Sequence, residues 1–164
     1  MGRNLLILVI TPILLISCIR KSSISDSRLE EAKRAVVISQ DADSYCDVDM
    51  YYSNDHPELY MEQLPYDLVM CKANNDFSCF RFYENYLKIS NSGKFEKSSI
   101  IKLDKPEQDF LIYILNKGAI LGDEYCRSYL YYYYKNGIAV KKDLLKADSL
   151  SRFFPEGHFD KIPL

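Results

Sequence analysis

The chain has no tryptophan, only two histidines, and six glycines spread over 164 residues. His56 and His158 each sit in a stretch flanked by Pro or Gly, with no second ligand at short spacing. A His/Cys metal site needs clustered ligands, so both histidines read as loop residues and no metal or cofactor is implied. The glycines form no phosphate-cradling loop, and neither Gly-x-Ser-x-Gly nor His-Glu-x-x-His occurs. Basic residues do not outnumber acidic ones: 21 Lys and Arg stand against 23 Asp and Glu, a net charge of −2. A nucleic-acid partner is therefore not expected. Asp41, Asp43, Asp47 and Asp49 crowd together, but the stretch lacks the central Gly and closing Glu of a calcium loop. They read as an acidic helix start or a solvated face.

A membrane-spanning run is missing too. The longest apolar segment, Leu5 to Ile16, is about twelve residues, whereas a spanning helix needs roughly twenty. Preceded by Arg3 and closed by Ser17-Cys18, it has the layout of a signal peptide. Leu15-Ile16-Ser17-Cys18 resembles the bacterial lipobox, which implies a lipid on Cys18 after cleavage. The expected organisation is a signal peptide at 1–17, a lipidated Cys18 with a serine-rich tether to 26, and one domain over 27–164. Ile19 stands where an inner-membrane retention signal of enteric type would place Asp, so the expected address is the outer membrane, facing the periplasm.

Cys46, Cys71, Cys79 and Cys126 remain, an even number, which in an exported chain favours disulfides. Three of them end an Asp-x-x-Cys: Asp43 to Cys46, Asp76 to Cys79 and Asp123 to Cys126. The spacing suits helix-turn-helix repeats with a variable loop. Aromatic stretches follow the second and third copies, Phe80 to Leu87 and Tyr129 to Tyr134, each ahead of a glycine loop at Gly93 or Gly137. Helical periodicity predicts helices over Arg28 to Gln40, Gln108 to Ala119 and Asp143 to Phe154, the first opened by a Ser27/Glu30 capping box. Pro106 is placed to open the second of these. Tyr131 to Tyr134 could form a short strand by propensity alone, though its surroundings are helical. Four successive residues cannot all face inward on a helix, so Tyr132 or Tyr133 is expected on a binding face.

Gly122-Asp123-x-x-Cys126-x-x-x-Leu130-x-x-x-Tyr134-x-x-Gly137, followed by Val140, Asp143 and Lys146-Ala147, resembles the Sel-one-like repeat, a relative of the tetratricopeptide repeat. The resemblance implies an all-α fold, a short solenoid of two to three degenerate antiparallel helix pairs. In it Gly122 and Gly137 would relieve turns, Asp143 would cap a helix, and Cys126, Leu130, Tyr134 and Ala147 would be packing knobs. Tyr131 and Ala139 depart from the pattern, at positions usually held by a small residue and a second Gly. Upstream the match weakens, and Pro65 is expected to interrupt the first copy's second helix. Small exported members of this family staple neighbouring helix pairs through Cys-x7-Cys, which implies a Cys71–Cys79 bridge. Cys46 and Cys126 are left as a candidate second pair.

The same resemblance implies a non-catalytic, lipid-anchored envelope protein that holds a protein partner, as immunity proteins against periplasm-acting effectors do. The alternatives are a penicillin-binding or weak β-lactamase-like enzyme, a role described for cysteine-rich relatives, and a purely structural envelope lipoprotein.

Overall fold

In a computed structural model, residues 24–154 are described, so the lipobox at Cys18 and the histidine at 158 lie outside the described residues. The fold is all-α. Seven α-helices follow one another among the described residues: α1 (Asp26–Ser39), α2 (Ala42–Met50), α3 (Tyr60–Lys72), α4 (Asp76–Ser90), α5 (Lys105–Leu121), α6 (Glu124–Asn136) and α7 (Leu144–Ser151). Turns of two or three residues join α1 to α2, α3 to α4 and α5 to α6, so each pair folds back on itself. Packing between α1 and α2, then from α3 through α7 in order, stacks these hairpins into a short solenoid.

The boundaries are set by side chains that satisfy unpaired backbone N–H groups. Asp41 caps α2 by accepting from Ser44 N at 2.7 Å, Asn75 caps α4 from Ser78 N at 3.1 Å, and Asp123 caps α6 from Cys126 N at 2.6 Å. α5 opens on a reciprocal box between Asp104 and Glu107, with Pro106 in its first turn. α1 starts earlier than its periodicity suggests, because Ser25 and not Ser27 is the capping residue. At the other ends, Gly122 (φ 118°) and Gly137 (φ 73°) take the left-handed conformation that closes α5 and α6.

Two expectations fail for local reasons. α3 runs straight through Pro65. Pro65 removes only the bond to Met61 O, and both residues are exposed, so that carbonyl can turn to water. α7 stops at Ser151, short of Phe154. There the Ser149 and Ser151 hydroxyls donate to the carbonyls of Lys146 and Asp148, drawing acceptors away from the helix.

Apolar burial divides into two cores. The smaller takes Leu29, Ala32 and Val36 from α1, Tyr45 and Val48 from α2, with Tyr52 and Met70. The larger runs from Cys71 through Phe82, Leu87, Leu111 and Leu115 to Leu130 and Ala147. Met70 and Cys71 are consecutive residues of α3, one in each core.

Candidate interaction surface

The Asp-x-x-Cys motifs fall at the starts of α2, α4 and α6, the first helix of each repeat copy, but in drifting register. Asp123 is the cap of α6, Asp76 is the first residue of α4, and Asp43 lies inside the first turn of α2. The cysteines differ accordingly: Cys79 and Cys126 are buried while Cys46 is exposed. Cys71 and Cys79 form a disulfide, S–S 2.04 Å, across the α3–α4 turn. The candidate second pair, Cys46 and Cys126, is not bridged. Cys46 and Cys126 are both free thiols, one on the outer face of α2 and the other in the large core under α6. Burial, reinforced by the Asp123 carboxylate, pushes the Cys126 thiol far above its ordinary range. So protonated a thiol is a poor nucleophile.

The aromatic stretches form one continuous stack. The Tyr129 ring lies 5.4 Å from both Phe80 and Tyr83 and 5.7 Å from Phe95, and Phe80 stacks on Tyr125 at 4.9 Å. Tyr131 to Tyr134 belong to α6, which settles the strand alternative. Tyr133 does not reach a binding face. It is buried, with its hydroxyl donating to Lys97 O at 2.8 Å and paired with the Tyr83 hydroxyl. Tyr132 is half-buried, and Lys97 Nζ lies 4.2 Å from its ring centre. The rotation of 100° per residue places Tyr133 and Tyr134 inward and leaves Tyr131 and Tyr132 at the edge.

Sequence reading missed a buried polar junction between the two cores. Asp67 of α3 has no exposed surface, and its carboxylate accepts from Tyr45 of α2 (2.8 Å), Gln63 of α3 (3.1 Å) and Asn85 of α4 (2.9 Å). Gln63 also donates to Asp49, which lies 3.0 Å from Arg81 Nε. Burial pushes Asp67 up to about 7 against the pull of its three donors. Of the remaining acidic residues of that region, Asp41 caps α2 and Asp43 is exposed, as expected, whereas Asp47 pairs with Arg28 at 2.7 Å. The His56 ring packs 4.4 Å from Tyr51 and meets Glu58 at 3.3 Å.

Ser99-Ile100-Ile101-Lys102 has the Ser-x-x-Lys spacing of an acylating hydroxyl and its amine base. Here the two groups serve different partners. The Ser99 hydroxyl is buried and donates to Glu96 O at 2.6 Å, while Lys102 Nζ donates to Asn91 Oδ1 at 2.9 Å. No three His, Cys, Asp or Glu side chains are grouped as metal ligands among the described residues.

The repeat-framework residues meet at the α6–α7 end. Leu130, Tyr134 and Ala147 are buried in the large core. After Gly137 the chain passes Ala139, whose φ of 58° is the left-handed conformation glycine prefers, and returns through Asp143 N donating to Tyr134 O at 2.9 Å. Asp143 then caps α7 from Lys146 N at 2.9 Å. These turns enclose an open cleft of about 730 Å³ with Tyr134 at its base and Lys105, Lys141, Lys142 and Lys146 around it. Lys146 spans the Tyr134 ring at 4.2 Å and donates to its hydroxyl at 2.6 Å. Leu144 and Leu145 line the rim, 60% and 85% exposed.

Charge is unevenly divided along the stack. Residues 24–87 hold 13 Asp and Glu against 5 Lys and Arg, whereas 88–154 hold 12 Lys and Arg against 8 Asp and Glu. Within 24–154 the stack is thus acidic before residue 88 and basic after it. No protein-family model, curated protein or solved structure matches this chain.

Proposed function

We propose that this chain is a non-catalytic binding module, tethered to the bacterial envelope by a lipid on Cys18, that holds a protein partner against its helical stack. The observation that carries the reading is the α6–α7 end, where two large leucines face water within a ring of lysines. Exposed apolar groups in a polar rim are the usual make-up of a protein-binding surface. The Ser99/Lys102 geometry gives no support to the β-lactamase-like alternative, since hydroxyl and amine are occupied by separate acceptors. Among binding roles, immunity against a periplasm-acting effector fits a small, anchored scaffold, and we take it as the working form of the proposal.

Three experiments test it. Metabolic labelling with a fatty acid should mark the wild-type chain and leave Cys18→Ser unmarked; equal labelling removes the anchor. Export of the neighbouring gene product to the periplasm should arrest growth unless this chain is co-expressed and should co-purify with it. Hydrolysis of nitrocefin by the purified chain, abolished by Ser99→Ala, would replace the binding reading with an enzymatic one.

A further inference from the structure

Three of the four lysines around the α6–α7 cleft have no carboxylate beside them among the described residues. Of its four lysines, Lys105 is held by Asp109 at 2.6 Å. Lys146 is turned to the Tyr134 hydroxyl, and neither it, Lys141 nor Lys142 has a carboxylate within ion-pair distance among the described residues. The one carboxylate on the lining, Asp143, is engaged in capping α7. Leu144 and Leu145 stand beside these cations, so a ligand that satisfies the site must supply both negative charge and apolar side chains.

We infer that the α6–α7 cleft is the docking surface for an acidic segment of a protein partner that carries large apolar side chains, with the lysines taking its carboxylates and Leu144 and Leu145 its apolar groups. The inference rests on the protein-binding reading above and gives that partner its chemistry. Charge complementarity selects this occupant over an extended polyanion. Residues 24–87, 13 acidic against 5 basic, repel nucleic acid or an anionic bilayer that spreads beyond the cleft, whereas a short acidic segment meets the basic end alone. The cations are also all lysines, point charges suited to scattered carboxylates rather than to the bidentate grip that arginine gives phosphate.

The test uses the full chain in a neutral detergent and three labelled short peptides followed by fluorescence anisotropy. One has Glu and Leu at helical spacing, one replaces every Leu by Ser, and one replaces every Glu by Lys. The Glu/Leu peptide should bind with a strong salt dependence, and the other two should bind at least about tenfold more weakly. Leu145→Glu and Lys142→Glu should each weaken the Glu/Leu peptide by about tenfold or more, while Ile38→Glu at the far end should change nothing. All three positions are exposed, and circular dichroism would check that each variant folds. Equal binding of the Glu/Ser peptide, or of a single-stranded oligonucleotide, reduces the cleft to a generic cation patch and overturns the inference. So does self-association of the wild-type chain that Leu145→Glu abolishes in light scattering, since a second copy would then be the occupant. A partner that co-purifies equally with wild type and Leu145→Glu moves the docking surface elsewhere and leaves the binding function standing. A chain that binds the Glu/Leu peptide as described but protects against no effector retains the docking chemistry and loses the immunity reading.

Discussion

The thiol of Cys126 lies directly over Gly118. A methyl group on Gly118 would come 2.4 Å from Cys126 Sγ and 3.0 Å from Cys79 Cβ, so α5 and α6 approach at a point where only hydrogen fits. Gly118→Ala is therefore expected to lower stability by about 1–3 kcal/mol by overpacking, although alanine is the better helix former. Adding Cys126→Ala should recover part of that loss. Denaturant melts of the two single variants and the double variant check the coupling, and simple additivity would show that the contact is not the cause.

Ala139→Gly should have the opposite sign. An alanine held at φ 58° carries a backbone penalty of about 1 kcal/mol that glycine does not. Glycine's larger unfolded-state entropy offsets part of this, leaving a gain of a few tenths to about 1 kcal/mol. A rise in melting temperature checks it, and an equal fall would mean that the left-handed turn is not what limits the position.

Asp67 should give stability an unusual pH dependence. Its folded-state value, pushed up to about 7, lies above the 3.8 of an ordinary Asp. The folded state thus holds a proton that the unfolded state has released. This contribution is complete below the unfolded value and is lost as pH rises through about 7. The groups facing Asp67 do not mimic the effect: Tyr45 is held protonated by burial, and Gln63 and Asn85 do not titrate. Wild type should gain stability relative to Asp67→Asn as pH is lowered from about 8 to about 5. Thermal melts of both chains across that range check it. A constant difference would mean that the three donors keep the carboxylate ionised.

The two free thiols should separate cleanly by reactivity. Cys46 is exposed, while Cys126 is buried and its thiolate disfavoured. Iodoacetamide should modify Cys46 in the folded chain and reach Cys126 only in denaturant, as peptide mass mapping would show. Modification of both at equal rates would mean that the α5–α6 contact opens readily.

How much of this could be read beforehand depended on sequence distance. Gly122, Gly137 and Asp143 work through turns of a few residues, so the resemblance of 122–147 to a Sel-one-like repeat could imply their jobs. The Cys71–Cys79 bridge closes an equally local loop. Asp67 gave no such sign, because Tyr45 and Asn85 reach it from 22 and 18 residues away, and its neighbours Tyr66 and Leu68 suggest only an amphipathic helix. Tyr132 and Tyr133 could not be told apart until packing fixed the rotation of α6. The α6–α7 cleft was hidden for a similar reason, since Lys105 joins Lys141, Lys142 and Lys146 only once α5 lies beside the last turn. The Ser-x-x-Lys spacing at Ser99 and Lys102 was overlooked in the sequence, and a 3₁₀ turn over Lys97–Lys102 sends its two groups apart.

The consecutive placement of Met70 and Cys71 in different cores bears on how the molecule comes apart. Fraying of α3 from either side withdraws a side chain from both apolar clusters and exposes the Asp67 carboxylate between them. Neither half then has a partly unfolded form that is much cheaper than complete unfolding. Tyrosine signals from the two ends should therefore fade together on heating, and a protease should meet the chain either whole or fully open.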